Sequence, residues 1–229
     1  MSLPVLTLGG AWSSAWSIPG WMACELAGLA REERTLFLSR PDSKAKLVEA
    51  SPSGRLPVLE IDGLRLWDSL AIAEYLWERH PGCGIWPAER AARAMARGWA
   101  AEVHADFHDL RTALPMNLIK RWPIRDGLPS NVKLLARPGV APAIARLTAI
   151  WREATARFGG PYLTGSAFCF ADAMMAMLAS RFVTYGVELP PDSAAFVAAS
   201  QDSPLMRRWI ARAEEQAALI GRDICAAFP

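Results

Sequence analysis

Over the first 80 residues the hydrophobic positions switch between short apolar runs and helical spacings. Residues 3–8, LPVLTL, form an apolar run of strand length. A serine-rich turn follows, and Ile18, Trp21, Met22 and Leu26 then recur at helical intervals as far as Gly28. Residues 35–38 suit a second strand, and residues 41–50 a short helix with Asp42 as its cap. The strongest local pattern is Val58-Leu59-Glu60-Ile61, then Asp62-Gly63, then Leu64-Arg65-Leu66-Trp67. An Asp-Gly pair between two alternating runs predicts a hairpin, because the favoured turn needs positive φ at both central residues. Asp68 and Ser69 then precede Leu70, Ala73, Leu76 and Trp77 at helical spacing. The order β-α-β-α-β-β-α predicts a mixed sheet flanked by helices.

Beyond His80 the pattern changes. Pro81-Gly82-Cys83-Gly84 and Pro87 make a breaker-rich connection, and nearly everything after it is helical in period. Residues 88–113 read as one long helix, 142–158 and 170–182 as two more, and 203–220 as a last amphipathic helix with Pro204 in its first turn. Ala171, Met174, Met175, Leu178 and Phe182 fall on one face, a stripe suited to core packing. Residues 117–139 hold several breakers and read as loop. The expected organisation is a small α/β domain over 1–82 and an all-helical domain over 88–229.

Composition removes several classes. Of 229 residues, 52% are hydrophobic, enough for a core without disulfides or a metal. Lys and Arg number 25 against 23 Asp and Glu, and neither half carries a basic arm, which argues against a nucleic-acid partner. The ten tryptophans are scattered without a basic stripe, so packing and an apolar pocket account for them better than base stacking. Every apolar run is interrupted short of a bilayer span, and the opening residues lack a signal-like stretch, so no membrane partner is expected. Cys24, Cys83, Cys169 and Cys225 lie far apart, the pattern of a reduced cytoplasmic chain. His104 and His108, four apart, would share one helix face, but no third ligand or HExxH pattern accompanies them, and no metal is expected.

Two local features bear on binding. Pro57 begins the first hairpin strand, either as a simple strand initiator or as a cis bond that turns the backbone of Leu56 toward a peptide-like ligand. Asp68-Ser69 opens a helix directly after a strand. Capping alone accounts for the pair, yet free N–H groups beside a hydroxyl also suit a carboxylate, and an adjacent Asp suits an ammonium.

The run SPSGRLPVLEIDGLRLWDSLAIAEYLWERH, residues 51–80, resembles the glutathione-binding half of the cytosolic glutathione transferases. AEVHADFHDLRTALPMN (101–117) is similar to a bacterial subgroup of that family, and GSAFCFADAMM (165–175) is similar to the family's helical half. The resemblance implies a thioredoxin-like N-terminal domain, an all-α helical-bundle C-terminal domain, glutathione as co-substrate and a homodimer. It implies that Pro57 is cis, that Leu56 pairs with the cysteinyl backbone of glutathione, and that Asp68 and Ser69 take the γ-glutamyl end. Arg40, Lys44 and Arg55 flank this site, and one of them would neutralise a glutathione carboxylate. His104, Phe107, His108 and Arg111 are expected to face the cleft between the domains and to touch the glycine carboxylate of glutathione or the second substrate. Cys169 stands where the family carries a Ser or Thr helix cap three residues before Asp172.

The family also needs a donor to the glutathione sulfur. AWSSAWSIPGW (11–21) offers Ser13, Ser14 and Ser17 and neither Tyr nor Cys. A free thiol has a pKa of about 8.5, and a hydroxyl donor at a helix start lowers it; a tenfold gain in thiolate needs only about 1.4 kcal/mol. The subgroup reads Ser-Ser-Trp-Ser, this chain Ser-Ser-Ala-Trp-Ser, so three candidates remain: Ser14 first, then Ser13, then Ser17, with simple capping by all three as the alternative. Without a cysteine at this helix start, dithiol exchange is disfavoured. The resemblance implies a serine-assisted transferase acting on an electrophilic, apolar substrate. One rival is a glutathione-dependent cis–trans isomerase of the maleylacetoacetate or maleylpyruvate type, for which Arg111 would hold a dicarboxylate; another is a non-catalytic binding protein.

Overall fold

The computed structural model describes residues 3–38, 42–122 and 134–221. Arg40, residues 123–133 of the breaker-rich stretch, and Cys225 lie outside them. The N-terminal part runs β1 (Val5–Gly9), α1 (Ser17–Leu26), β2 (Glu32–Leu36), α2 (Ser43–Ala50), β3 (Val58–Ile61), β4 (Leu64–Trp67) and α3 (Ser69–Arg79), the order that the pattern predicts. The four strands form one thioredoxin-like mixed sheet, ordered β2-β1-β3-β4. β1 and β2 are parallel because α1 returns the chain across the sheet, whereas β3 runs antiparallel to both of its neighbours. Asp62 and Gly63 both take positive φ, 52° and 76°, and close the expected hairpin with Val58 opposite Trp67.

β2 begins earlier than residue 35. Its exposed Glu32, Glu33 and Arg34 disguise a sheet edge, and pairing with Val5, Leu6 and Thr7 is what makes them strand. Asp42 occupies the cap position of α2, but its carboxylate meets Lys46 at 2.5 Å and makes no side-chain cap bond.

Six further helices follow among the described residues: α4 (Arg90–Ala105), α5 (His108–Ala113), α6 (Val140–Phe158), α7 (Phe170–Tyr185), α8 (Pro191–Asp202) and α9 (Pro204–Ile220). The single helix expected over 88–113 is two. Phe107 sits at φ 62°, a left-handed conformation that ends the α4 ladder, and burial of its ring offsets a local strain of about 1–2 kcal/mol. This break takes His104 and His108 off a common face. α8 escapes a pattern reading because Pro190-Pro191 looks like a breaker. In the fold Pro191 occupies the first helical turn, where a missing N–H breaks no ladder bond.

α7 is the centre of the helical part. Every residue in it except Val183 is buried, so the expected stripe extends around the whole helix, which packs against α1, α4 and α8. At its start the Cys169 N–H donates to Asp172 Oδ2 at 2.9 Å and the Leu163 N–H to Asp172 Oδ1 at 2.8 Å. Cys169 completes a reciprocal capping box, its sulfur accepting the Asp172 N–H and receiving the Thr164 hydroxyl at 3.8 Å, but sulfur is a weaker acceptor than a hydroxyl oxygen. Replacing Cys169 with serine is therefore expected to stabilise the protein by about 0.5–1 kcal/mol, and a lower melting temperature would contradict this. Among the described residues no helix is long and apolar enough to cross a membrane.

Candidate functional site

The turn from β1 into α1 is held from three directions. Ser13 and Ser14 both donate their N–H to the Gly10 carbonyl, at 3.2 and 2.9 Å. From α9, Gln216 Oε1 accepts the Ala11 N–H at 2.8 Å and Trp209 Nε1 donates to the Ala11 carbonyl at 3.0 Å. The Leu118 N–H donates to the Trp12 carbonyl at 2.9 Å. The 114–117 segment that precedes Leu118 is itself tied to α7. Arg181 Nε donates to the Leu114 carbonyl, Tyr185 to that of Pro115 and Thr184 to that of Asn117. Arg181 is buried without a carboxylate partner among the described residues, and desolvation pulls its guanidinium down to about 9.

Within this turn the two inner serines are linked. Ser17 is fully buried and its Oγ accepts the Gly9 N–H at 2.9 Å; Ser14 Oγ lies 2.7 Å from Ser17 Oγ. Either hydroxyl can donate in this pair; with Ser17 as the donor, the Ser14 hydrogen is left for the cleft. Gly9 makes the approach feasible. A Cβ at that position would stand 2.4 Å from Ser14 Oγ. Gly9→Ala is expected to displace the hydroxyl and lower kcat/KM by about a hundredfold, the usual consequence of an ångström-scale misplacement, and unimpaired turnover would refute this placement.

Ser13 and Ser14 open onto a cleft of about 750 Å³. Its floor is formed by Leu56 and Pro57, whose peptide bond is cis as expected. Gly20 of α1 packs directly on that proline, since a Cβ there would lie 2.4 Å from Pro57 Cγ. Asp68 and Ser69 line the same cleft. Asp68 Oδ1 accepts the Leu70 N–H at 2.8 Å and so caps α3. Ser69 is 1% exposed, and its hydroxyl has no hydrogen-bond partner among the described residues. A buried hydroxyl left unpaired at a helix start is where an anionic group would be received.

The opposite wall comes from the helical part. His104 Nε2 lies 2.6 Å from Asp68 Oδ2, and its ring tilts against Trp16 at 5.4 Å. Arg111 also stands over the Trp16 ring, its guanidinium 5.3 Å from the ring centre. Arg111 donates to the carbonyls of Val103 and Asp106 and has no carboxylate within ion-pair distance among the described residues. Burial lowers its pKa, partly opposed by the Asp106 charge.

Not every expected residue joins this cleft. Ser17 lies beneath Ser14 and does not line it. Phe107 and His108 turn with the α4–α5 break toward a second hollow beside Glu102 and Arg146, and among the described residues the His108 ring meets only the Thr112 hydroxyl, at 3.4 Å. Lys44 is exposed on α2 and absent from the lining, while Arg55 stands at the rim. Sequence reasoning passed over Gly9, Gly20 and Trp16. The Gly9-Gly10 pair at the end of β1 was a usable signal for a close backbone approach.

Residues 13–79 match the family model of the glutathione S-transferase N-terminal domain. A solved glutathione transferase homologue from Burkholderia, with bound glutathione, superposes with a TM-score of 0.69 at 25% identity, over 93% of this chain and all (100%) of that one. The chain therefore carries a glutathione S-transferase N-terminal domain over residues 13–79, and along nearly its whole length it is similar to that glutathione transferase homologue. A probable maleylacetoacetate isomerase of Caenorhabditis elegans is 26% identical over 204 residues, spanning 84% of this chain and 91% of that protein. A maleylacetoacetate isomerase of Pseudomonas aeruginosa is 42% identical over a shorter stretch of 73 residues, 31% of this chain and 34% of that protein.

Proposed function

We propose that this chain is a glutathione-dependent enzyme of the serine type that catalyses cis–trans isomerisation of a maleyl-type dicarboxylate. The observation that carries the reading is the placement of the Ser14 hydroxyl and the Arg111 guanidinium on facing walls of one cleft whose floor ends at the unpaired Ser69 hydroxyl. Glutathione would lie along that floor, with its cysteinyl backbone on Leu56, its γ-glutamyl carboxylate at Ser69 and the start of α3, and its sulfur at Ser14. The thiol releases its proton to solvent, and the thiolate that results accepts the Ser14 hydrogen bond.

In the proposed reaction the thiolate adds to one carbon of the substrate double bond and the electron pair moves onto the conjugated carbonyl. The former double bond is now single and rotates. Expulsion of the thiolate restores the double bond in the trans form, with no net gain or loss of atoms. Arg111, free of a carboxylate partner among the described residues, would hold a substrate carboxylate through this cycle. The names carried by the relatives in Caenorhabditis elegans and Pseudomonas aeruginosa support the same reading.

Transfer of glutathione to a neutral electrophile is the second reading, favoured by the apolar Leu38, Trp16 and Trp67 in the cleft lining. Assay of the purified protein with glutathione and maleyl-type acids, beside chlorinated aromatics, separates the two. Turnover of the acids without consumption of glutathione is expected; stoichiometric consumption with the aromatics alone would establish the transferase.

A further inference from the structure

Asp68 has one carboxylate oxygen left to offer the cleft, because Oδ1 is taken by the Leu70 N–H at 2.8 Å in capping α3. That second oxygen is not bare. Oδ2 lies 2.6 Å from Nε2 of His104, which stands in the last turn of α4 and so reaches over from the helical part. An ionised carboxylate only accepts, so Nε2 carries the hydrogen of this bond. The imidazole is held on its other side as well, where its ring tilts at 60° against Trp16, and Trp16 in turn carries Arg111. His104 is thus gripped at a ring face and at a ring nitrogen.

We infer that His104 is a positioning residue for the amino end of glutathione. Acting through Asp68, it fixes the carboxylate so that the remaining lone pairs of Oδ2 face the cleft, where the α-ammonium of the γ-glutamyl group donates to them. This rests on the glutathione reading above and gives His104 to the amino end of glutathione, where the sequence suggested the glycine carboxylate or the second substrate. The geometry of Asp68 explains the need. Its backbone sits at φ 77°, and its capping bond holds one oxygen but not the rotation that aims the other. A carboxylate pinned at both oxygens has lost that freedom before the ligand arrives, so the ammonium meets a pre-aimed acceptor.

The side chains of His104 and Asp68 remain 40% and 38% exposed, so water screens the pair and the effect is modest. Ligand discrimination reads it directly. Glutathione and an analogue in which a glutaryl group replaces γ-glutamyl, removing only the α-amino group, are titrated calorimetrically into wild type, His104→Ala and His104→Gln. Wild type is expected to prefer glutathione. His104→Ala is expected to lose about tenfold in affinity for glutathione and little for the analogue, the scale of one charge-assisted hydrogen bond at a screened site. His104→Gln, whose amide N–H can stand in for Nε2–H, is expected to recover most of the preference. An unchanged preference in both variants, an equal loss for the two ligands, or tighter glutathione binding by His104→Ala would overturn the inference. Wild-type protein that binds neither compound overturns the glutathione reading itself, a result distinguishable from a wild type that binds both while the variants keep its preference.

Discussion

Alanine at position 14 is expected to raise the pKa of the bound glutathione thiol by about one unit and to cut turnover at pH 7 at least tenfold. The Ser17 oxygen is occupied by the Gly9 N–H at 2.9 Å, and Ser14 Oγ stands 2.7 Å from it. With Ser17 donating in that pair, the chain of donors runs from backbone to Ser17 to Ser14 and ends in the cleft. Removing the last hydroxyl takes away the group that distinguishes a thiolate from a thiol, while the start of α1 and its dipole stay in place. The sign follows from the thiol alone. Activity rises as pH passes through the bound-thiol pKa, so the Ser14→Ala profile is displaced to higher pH, and the gap from wild type narrows in alkali. Ultraviolet titration of the thiolate, run beside initial rates, measures both quantities. Unchanged values of each would remove Ser14 from the mechanism. Ser13→Ala is expected to do less, because Ser13 is exposed.

The largest stability effect is expected at Asp172. Both of its oxygens are used: Oδ1 by the Leu163 N–H and Oδ2 by the Cys169 N–H, in a fully buried setting. Asp172→Ala leaves two buried donors without partners and is expected to destabilise the protein by about 2–4 kcal/mol at pH 7, measured by urea unfolding. A loss below about 0.5 kcal/mol, the range of ordinary surface substitutions, would contradict the assignment. The group also sets a pH dependence. Burial pushes its carboxyl up to about 6, above the usual 3.8, despite the hydrogen bonds that favour the anion. The native state then holds this proton more tightly than the unfolded chain. Its contribution to stability is full below the unfolded value and is lost as pH rises through the native one. The difference between wild type and Asp172→Ala should accordingly be larger at pH 4 than at pH 7.

Some of the site was legible in one dimension. The Asp62-Gly63 turn, the proline before β3 and the Asp68-Ser69 start of α3 depend on backbone preferences within a few residues, which local composition records. The serines of 11–21 could be found in the same way but not ranked. Their ranking depends on which hydroxyl is buried under the Gly9 N–H and which reaches the cleft, a matter of a few ångströms in packing. His104 shows the limit more sharply. Its four-residue spacing from His108 suggested one shared face, and the left-handed Phe107 between them dissolved it.

From its sequence alone the chain determined the element order of the sheet half, the helical character of the remainder and the positions where a tripeptide-like ligand would find its turn, its proline and its helix start. Tertiary structure alone decided the early edge of β2, the extra helix at Pro191, the orphaned Ser69 hydroxyl and the bond from His104 to Asp68 across 36 positions. The division has one cause: turn, cap and periodicity are energies of neighbours along the chain, whereas burial and partner choice are energies of neighbours in space, which no short stretch of sequence contains.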